Sequence, residues 1–281
     1  MTTASQTARP QPEPPVESRS FGARQLSGDL EGTADDRPPL VLLHGLTFDR
    51  RMWRPALAAQ RQLDPGRSVL ALDLPGHGAS PMRFPCDLDD VGAAVASAVE
   101  DAGLDAPVVV GHSISGVIAT RYAVRYRTRG VVNVDVTLDT AFMRMLQANR
   151  AALAGPGFAG IWRGLLASMQ MEVLPDSARQ LLSTDLPRQD VFLAYQRQVL
   201  ELPEAELQRR IAQMLDALRQ SRLPYTIIAG HEYDDAYTAW LHDVLPQATV
   251  TVFPNSGHFP HLADPERFAT FLAATGEWNG R

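Results

Sequence analysis

Gly111-His112-Ser113-Ile114-Ser115-Gly116 stands directly behind the apolar run Val108-Val109-Val110, and a helix-forming series beginning Val117-Ile118-Ala119 follows it. Such a corner holds a serine hydroxyl at the tip of a strand, beside the free N–H groups that open a helix. Acyl transfer by serine needs such a hydroxyl, a histidine base, an acid to orient that base, and two N–H donors for the oxyanion. By itself the hexapeptide also fits an ordinary strand–turn–helix corner. The remaining groups have to be found elsewhere in the chain.

The base is the easiest to place. Asn255-Ser256-Gly257-His258-Phe259-Pro260-His261 follows the last apolar run and precedes a helical pattern at Pro265–Leu272. A loop histidine after a glycine, at a strand end, can swing its ring over the serine. The chain has seven histidines. His44 and His77 sit in glycine turns, His231 among acids, His242 in a helical pattern. His112 adjoins Ser113, where a tight turn aims its side chain away. His258 and His261 form a His-x-x-His, but no matching ligand pair stands out and a metal site needs three or more ligands, so no metal is expected. For the oxyanion, Leu43-His44-Gly45-Leu46-Thr47 offers the N–H of Leu46 after a sharp turn at Gly45. Ile114 offers the second, immediately after the serine.

Composition narrows the classes. All 26 basic residues are arginine, against 32 acids, for a formal charge of −6. Without lysine there is no Schiff base, Ser-x-x-Lys dyad or P-loop lysine. Net acidity without a basic block argues against nucleic acid and anionic membrane partners. The one cysteine, Cys86, excludes an internal disulfide and fits a reducing compartment. It lies in a Pro85-Cys86-Asp87 loop without a nearby histidine, a poor setting for a nucleophile. Gly76-His77-Gly78 lacks the third glycine and the strand-to-helix position of a dinucleotide fingerprint, so no cofactor is expected. Residues 1–20, rich in Pro, Thr, Ser and Gln, read as a disordered tail without the apolar stretch of a signal peptide. No apolar run approaches the length of a membrane span. The expectation is a cytoplasmic protein acting on a small molecule.

These residues must be positioned by a scaffold. Short apolar runs at Leu40–Leu43, Val69–Leu72, Val108–Val110, Val131–Val134, Tyr225–Ala229 and Thr249–Phe253 read as strands buried on both faces. Helical patterns such as Val91–Ala102 and Gly116–Arg127 alternate with them. The alternation predicts an α/β architecture, a doubly wound, mainly parallel central sheet flanked by helices. It breaks between Asp139 and Leu223, where helical stretches at Ala141–Leu153, Ala159–Met171, Asp190–Leu200 and Pro203–Arg219 replace strands. Eighty-odd residues exceed an ordinary crossover and predict an inserted helical cap over the carboxyl edge of the sheet. The expected division is a tail at 1–20, core at 21–138, cap at 139–223 and core again at 224–281. Phe142, Met143, Met145, Phe158, Trp162, Met169 and Met171 crowd the cap, most of them as packing and a few as candidates for an apolar pocket.

Leu42-Leu43-His44-Gly45, Asp73-Leu74-Pro75-Gly76-His77-Gly78-Ala79-Ser80, the corner at Ser113 and Gly257-His258 together resemble, in order, the capped α/β-hydrolases. The resemblance covers about Leu40 to Leu272. It implies the α/β-hydrolase fold, with Ser113 in a nucleophile elbow, His258 as base, and Leu46 and Ile114 as oxyanion donors. Two departures stand out. The second glycine of Gly-x-Ser-x-Gly is Ser115, and Phe21–Arg37 is short for the family's opening hairpin, so one opening strand is expected to be short or absent. The family's acid usually follows the seventh strand as Gly-x-x-Asp. Here Gly230-His231-Glu232-Tyr233-Asp234-Asp235 puts Tyr233 in the slot. Asp234, one residue late, is the first choice, with Asp235 beside it. Some members place the acid after the sixth strand, where Asp135 and Asp139 stand. A serine nucleophile argues against epoxide hydrolase and haloalkane dehalogenase chemistry. The expected activity is hydrolysis of a carboxylic ester or lactone. C–C bond hydrolysis, a thioesterase, a cofactor-free lyase or oxygenase and a non-catalytic binder are the alternatives.

Overall fold

In the computed structural model, which describes residues 17–33, 35–182 and 186–278, each of the six apolar runs forms a strand. The strands are β1 (Glu17–Phe21), β2 (Leu26–Glu31), β3 (Leu40–Leu43), β4 (Val69–Leu72), β5 (Val108–His112), β6 (Gly130–Val134), β7 (Tyr225–Ala229) and β8 (Ala248–Val252). They form one sheet in the order β1-β2-β4-β3-β5-β6-β7-β8. β2 pairs antiparallel with β1 and β4, and every other neighbour pair is parallel. Both strands of the opening hairpin are therefore present, with Phe21 opposite Leu26, against the expectation that one of them would be short or absent. β1 also begins inside the stretch expected to be tail. The rest of that expectation, residues 1–16, lies outside the described residues.

Alternate residues of each strand supply opposite faces. Val41, Leu43, Val109, Val131 and Ile227 join an apolar cluster with α2 (Leu88–Asp101) and α3 (Ile114–Arg125). Leu40, Leu42, Val108, Val110, Val132 and Ile228 join the opposite cluster with Trp53, Phe268 and Leu272. That second face is covered by α1 (Arg54–Leu63) and α13 (Pro265–Ala274), which pack on each other. Burial on both faces explains why β3 to β7 are continuous apolar runs, whereas β8, at the edge of the sheet, departs from that expectation, with Thr249 and Val250 exposed.

Between β6 and β7 the chain runs through α4 (Ala141–Ala148), α5 (Arg150–Ala154), α6 (Phe158–Ser168), α7 (Asp176–Arg179), α8 (Gln189–Tyr195), α9 (Arg197–Glu201) and α10 (Glu204–Ser221). Leu146, Leu153, Phe158, Trp162, Phe192, Val199 and Leu200 give this insert an apolar core of its own. Met143, Met145 and Met169 pack half-buried against it, while Phe142 is exposed. α10 behaves differently from its neighbours. Its Leu215 and Leu218 join the cluster of α2 and α3, so the final helix of the inserted stretch covers the sheet. After β7 come α11 (Asp235–Val244), and after β8 α12 (Pro260–Ala263) and α13 (Pro265–Ala274). Asp264 caps α13 through the N–H of Arg267, and Pro265 opens it, an arrangement suited to an abrupt helix start. Among the described residues no helix is long and apolar enough to cross a membrane.

Candidate active site

Ser113 separates β5 from α3 with φ 55° and ψ −128°, a conformation non-glycine residues rarely adopt. Its N–H donates to Val134 O at 2.8 Å. The glycines around it are forced by contact. A Cβ on Gly111 would sit 1.9 Å from Ser115 O, and one on Gly116 would sit 2.5 Å from Asn133 Oδ1. Ser115, where the family motif has glycine, is wholly buried, and its Oγ donates to His44 O at 2.5 Å.

That bond reaches the loop after β3. The His44 ring contacts Gly45 O through Nδ1 at 2.8 Å, and its Nε2 accepts the N–H of Leu74 at 2.9 Å. Accepting at Nε2 leaves the proton on Nδ1, which therefore donates to Gly45 O. Burial holds His44 down to about 4, so it is neutral near pH 7. Leu46 lies half-buried between the sheet-side cluster and the insert's cluster. Ile114 is the first residue of α3, so its N–H has no acceptor within the helix. Asp73 anchors the next loop, accepting the N–H groups of Arg50 and Ala79 at 2.9 and 2.8 Å.

His258 Nδ1 lies 2.6 Å from Asp135 Oδ2. The other carboxylate oxygen, Oδ1, accepts the N–H of Gly230 at 2.7 Å. Asp135 follows β6 with φ 59°, which aspartate tolerates better than most side chains. Asn133 brackets it: its Nδ2 donates to Val136 O at 2.9 Å and its Oδ1 accepts the N–H of Val136 at 3.3 Å. The partner of His258 is thus the aspartate after the sixth strand, and the first choice, Asp234, is displaced from that place. Asp234 is exposed and caps α11, accepting the N–H of Tyr237 at 2.7 Å. Asp235 is exposed in the first turn of α11. Asp139 accepts from Thr137 Oγ1 and the N–H of Ala141. Tyr233, in the family's acid slot, is half-buried with its phenol pushed up by burial and then by the charge of Asp135.

The backbone of His258 is held from both sides. Its N–H donates to Met169 O, beyond the end of α6, at 3.0 Å. Its carbonyl faces His112 Nε2 at 2.7 Å, so His112 carries its proton on that nitrogen. His112 points into the protein interior: it is fully buried, 5.2 Å from the Phe259 ring and 4.7 Å from that of His258. His261 points into the core, 4.5 Å from the Trp53 ring, and is pushed to about 3 by burial. Among the described residues no group of three or more His, Cys, Asp or Glu side chains could hold a metal. Cys86 is buried, which pushes its thiol up to about 11. Sequence reasoning missed Gly230, Asn133 and the bond made by Ser115. Ser115 left a signal as a departure from a motif and Gly230 as the glycine of the family's acid motif, whereas Asn133 left none.

Ser113, Asp135 and His258 thus lie at the carboxyl ends of β5, β6 and β8, where ligands bind in open α/β sheets. The sequence model of the alpha/beta hydrolase family matches residues 40–271, and the chain belongs to that family. It is 28% identical over 255 residues to a 2-succinyl-6-hydroxy-2,4-cyclohexadiene-1-carboxylate synthase of Serratia proteamaculans, covering 84% of this chain and 92% of that protein. It is 25% identical over 253 residues to a pimeloyl-[acyl-carrier protein] methyl ester esterase of Salmonella paratyphi A, covering 83% and 91%. Its fold matches a solved variant of AqdC, described as cleaving the ring of the Pseudomonas quinolone signal, with a TM-score of 0.74 at 17% identity over 93% of this chain and 98% of that one.

Proposed function

We propose that the protein is a serine hydrolase cleaving a carboxylic ester or lactone of a small hydrophobic molecule, with Ser113, His258 and Asp135 as its triad. The observation that carries the reading is the oriented pair His258–Asp135, with both carboxylate oxygens engaged, beside a strained serine at a strand end. A carboxylate on Nδ1–H leaves Nε2 as the basic nitrogen and steadies the imidazolium that forms. In this mechanism Nε2 of His258 takes the proton as Ser113 Oγ adds to the carbonyl carbon. The N–H groups of Leu46 and Ile114 receive the oxyanion. His258 then gives its proton to the leaving oxygen, and water, activated in the same way, clears the acyl-enzyme.

The insert acts here as a cap. Met143, Met145, Leu166, Met169 and Leu193 line its half-buried apolar side together with Leu46, which favours an apolar acyl or ring group. The compartment assigned in this reading is the cytoplasm, consistent with a single buried thiol. A second reading is favoured by the relative named as a synthase: the same His258–Asp135 pair would serve a cofactor-free lyase that forms no acyl-enzyme.

Intact-mass labelling with a fluorophosphonate separates them, on wild type, Ser113→Ala and His258→Ala. One probe per chain on the wild type and none on either variant is the expected result. A folded wild type that stays unlabelled would refute the hydrolase reading and favour the lyase.

A further inference from the structure

We propose that Ser115 is a positioning residue for the oxyanion donor of Leu46, an inference that rests on the hydrolase reading above. The N–H of Leu46 belongs to the peptide between Gly45 and Leu46. A trans peptide is planar, with its C=O and N–H pointing in opposite directions. Whatever fixes the Gly45 carbonyl therefore aims the Leu46 N–H. Two groups meet that carbonyl: His44 Nδ1 at 2.8 Å and the N–H of Phe48 at 3.2 Å.

The preceding peptide, between His44 and Gly45, needs its own anchor, because glycine at 45 leaves the link between the two peptides free to rotate. Ser115 supplies it. Its Oγ donates to His44 O across 71 residues of sequence, in a fully buried setting. The His44 ring is tied from the other side by the N–H of Leu74. Ser115 lies in the first turn of α3, two residues after Ser113 and one after Ile114. The same short segment thus carries the nucleophile, presents one donor and grips the loop that presents the other. With glycine at 115, as in the family motif, this hydrogen-bonded tie between the two donor segments would be lost.

Removing the hydroxyl leaves His44 O without that partner and loosens one donor relative to the other. Such a change weakens the transition state, where charge sits on the oxyanion, more than the bound ester. The test measures steady-state hydrolysis of p-nitrophenyl butyrate by wild type, Ser115→Ala, Ser115→Gly, Ser115→Cys and Ser113→Ala, with a thermal melt of each. Ser115→Ala and Ser115→Gly should lower kcat about tenfold with KM little changed, a smaller loss than the 10²–10³ of deleting an oxyanion donor outright. Ser115→Cys, a weaker donor of similar shape, should recover part of the rate. A kcat within about twofold of wild type in a folded Ala or Gly variant would overturn the proposal. So would a loss confined to KM or to melting temperature. If Ser113→Ala keeps the activity, the hydrolase reading itself fails and this inference falls with it, an outcome distinct from the others.

Discussion

The loops after β6 and β7 both offer aspartates to the same histidine, and they spend them differently. After β7, Asp234 is exposed and serves the start of α11. After β6, Asp135 is nearly buried, with its side chain 8% exposed, and both of its oxygens are occupied by His258 and Gly230. What distinguishes them is the backbone around each carboxylate. Asp135 has a left-handed φ, and Asn133 clasps the residue that follows it. The β7 loop keeps its glycine and uses that N–H to orient an acid borne by its neighbour. In the proposed triad the acid thus stands one strand along the sheet from the family's usual place, while the N–H of the β7 glycine still reaches it.

The comparison breaks first at the nucleophile. Ser113→Ala should abolish turnover by roughly 10⁶, as loss of a triad nucleophile does; a rate within tenfold of wild type would mean that the two loops compete for nothing catalytic. Next come the acids themselves. Asp135→Asn should lower kcat on the order of 10⁴, because an amide cannot stabilise the imidazolium or hold its tautomer. Asp234→Asn should leave kcat alone. The reverse pattern would return the acid to the β7 loop. Gly230→Ala tests the partnership between the loops. Its added Cβ would meet Gly257 O at 1.8 Å, forcing apart the segments that bear His258 and orient Asp135. A loss on the order of 10² in kcat is expected from displacement of that size, read in a variant shown to be folded by circular dichroism.

Acid pH probes the buried histidines that build the surroundings of the site. His44 is held to about 4, and His77 and His261 to about 3, each chiefly by burial. An unfolded chain would protonate them near the ordinary 6.5. Between these values the unfolded state binds more protons, so stability rises with pH. It is fully present above about pH 6.5 and falls as pH drops towards 4. Thermal melts across that window should show a decline that is shallower for a His77→Gln variant. A flat profile would mean that these rings are not buried neutral.

The sheet was readable in the sequence because a strand buried on both faces leaves an unbroken apolar run, as at Val108–Val110 and Tyr225–Ala229. The strand-to-helix corner at Ser113 and the loop that bears His258 were readable because tight turns need small neighbours, which leave a mark in the letters. β1 was not, since Glu17–Ser20 are exposed at a sheet edge and carry no apolar signal. The partner of His258 was not either. Spacing pointed to Asp234 because loop position is a local property. The choice of Asp135 depends on which carboxylate meets a ring 123 residues away, and on Asn133 and Gly230, whose bonds form only once β6, β7 and β8 lie side by side.

The smallest expected effect is the most selective. Asp234→Ala removes the side-chain acceptor for the N–H of Tyr237 and should lower stability by about 1 kcal/mol, the usual cost of losing a helix N-cap. Asp234→Asn should lose little, because asparagine caps nearly as well. Neither should change kcat on any substrate the enzyme turns over. A denaturant melt read beside a rate assay separates the two possible roles of this aspartate. A cap loses stability on truncation to alanine and is restored by the amide. A triad acid loses turnover with either substitution, because the amide that restores the cap cannot replace the charge.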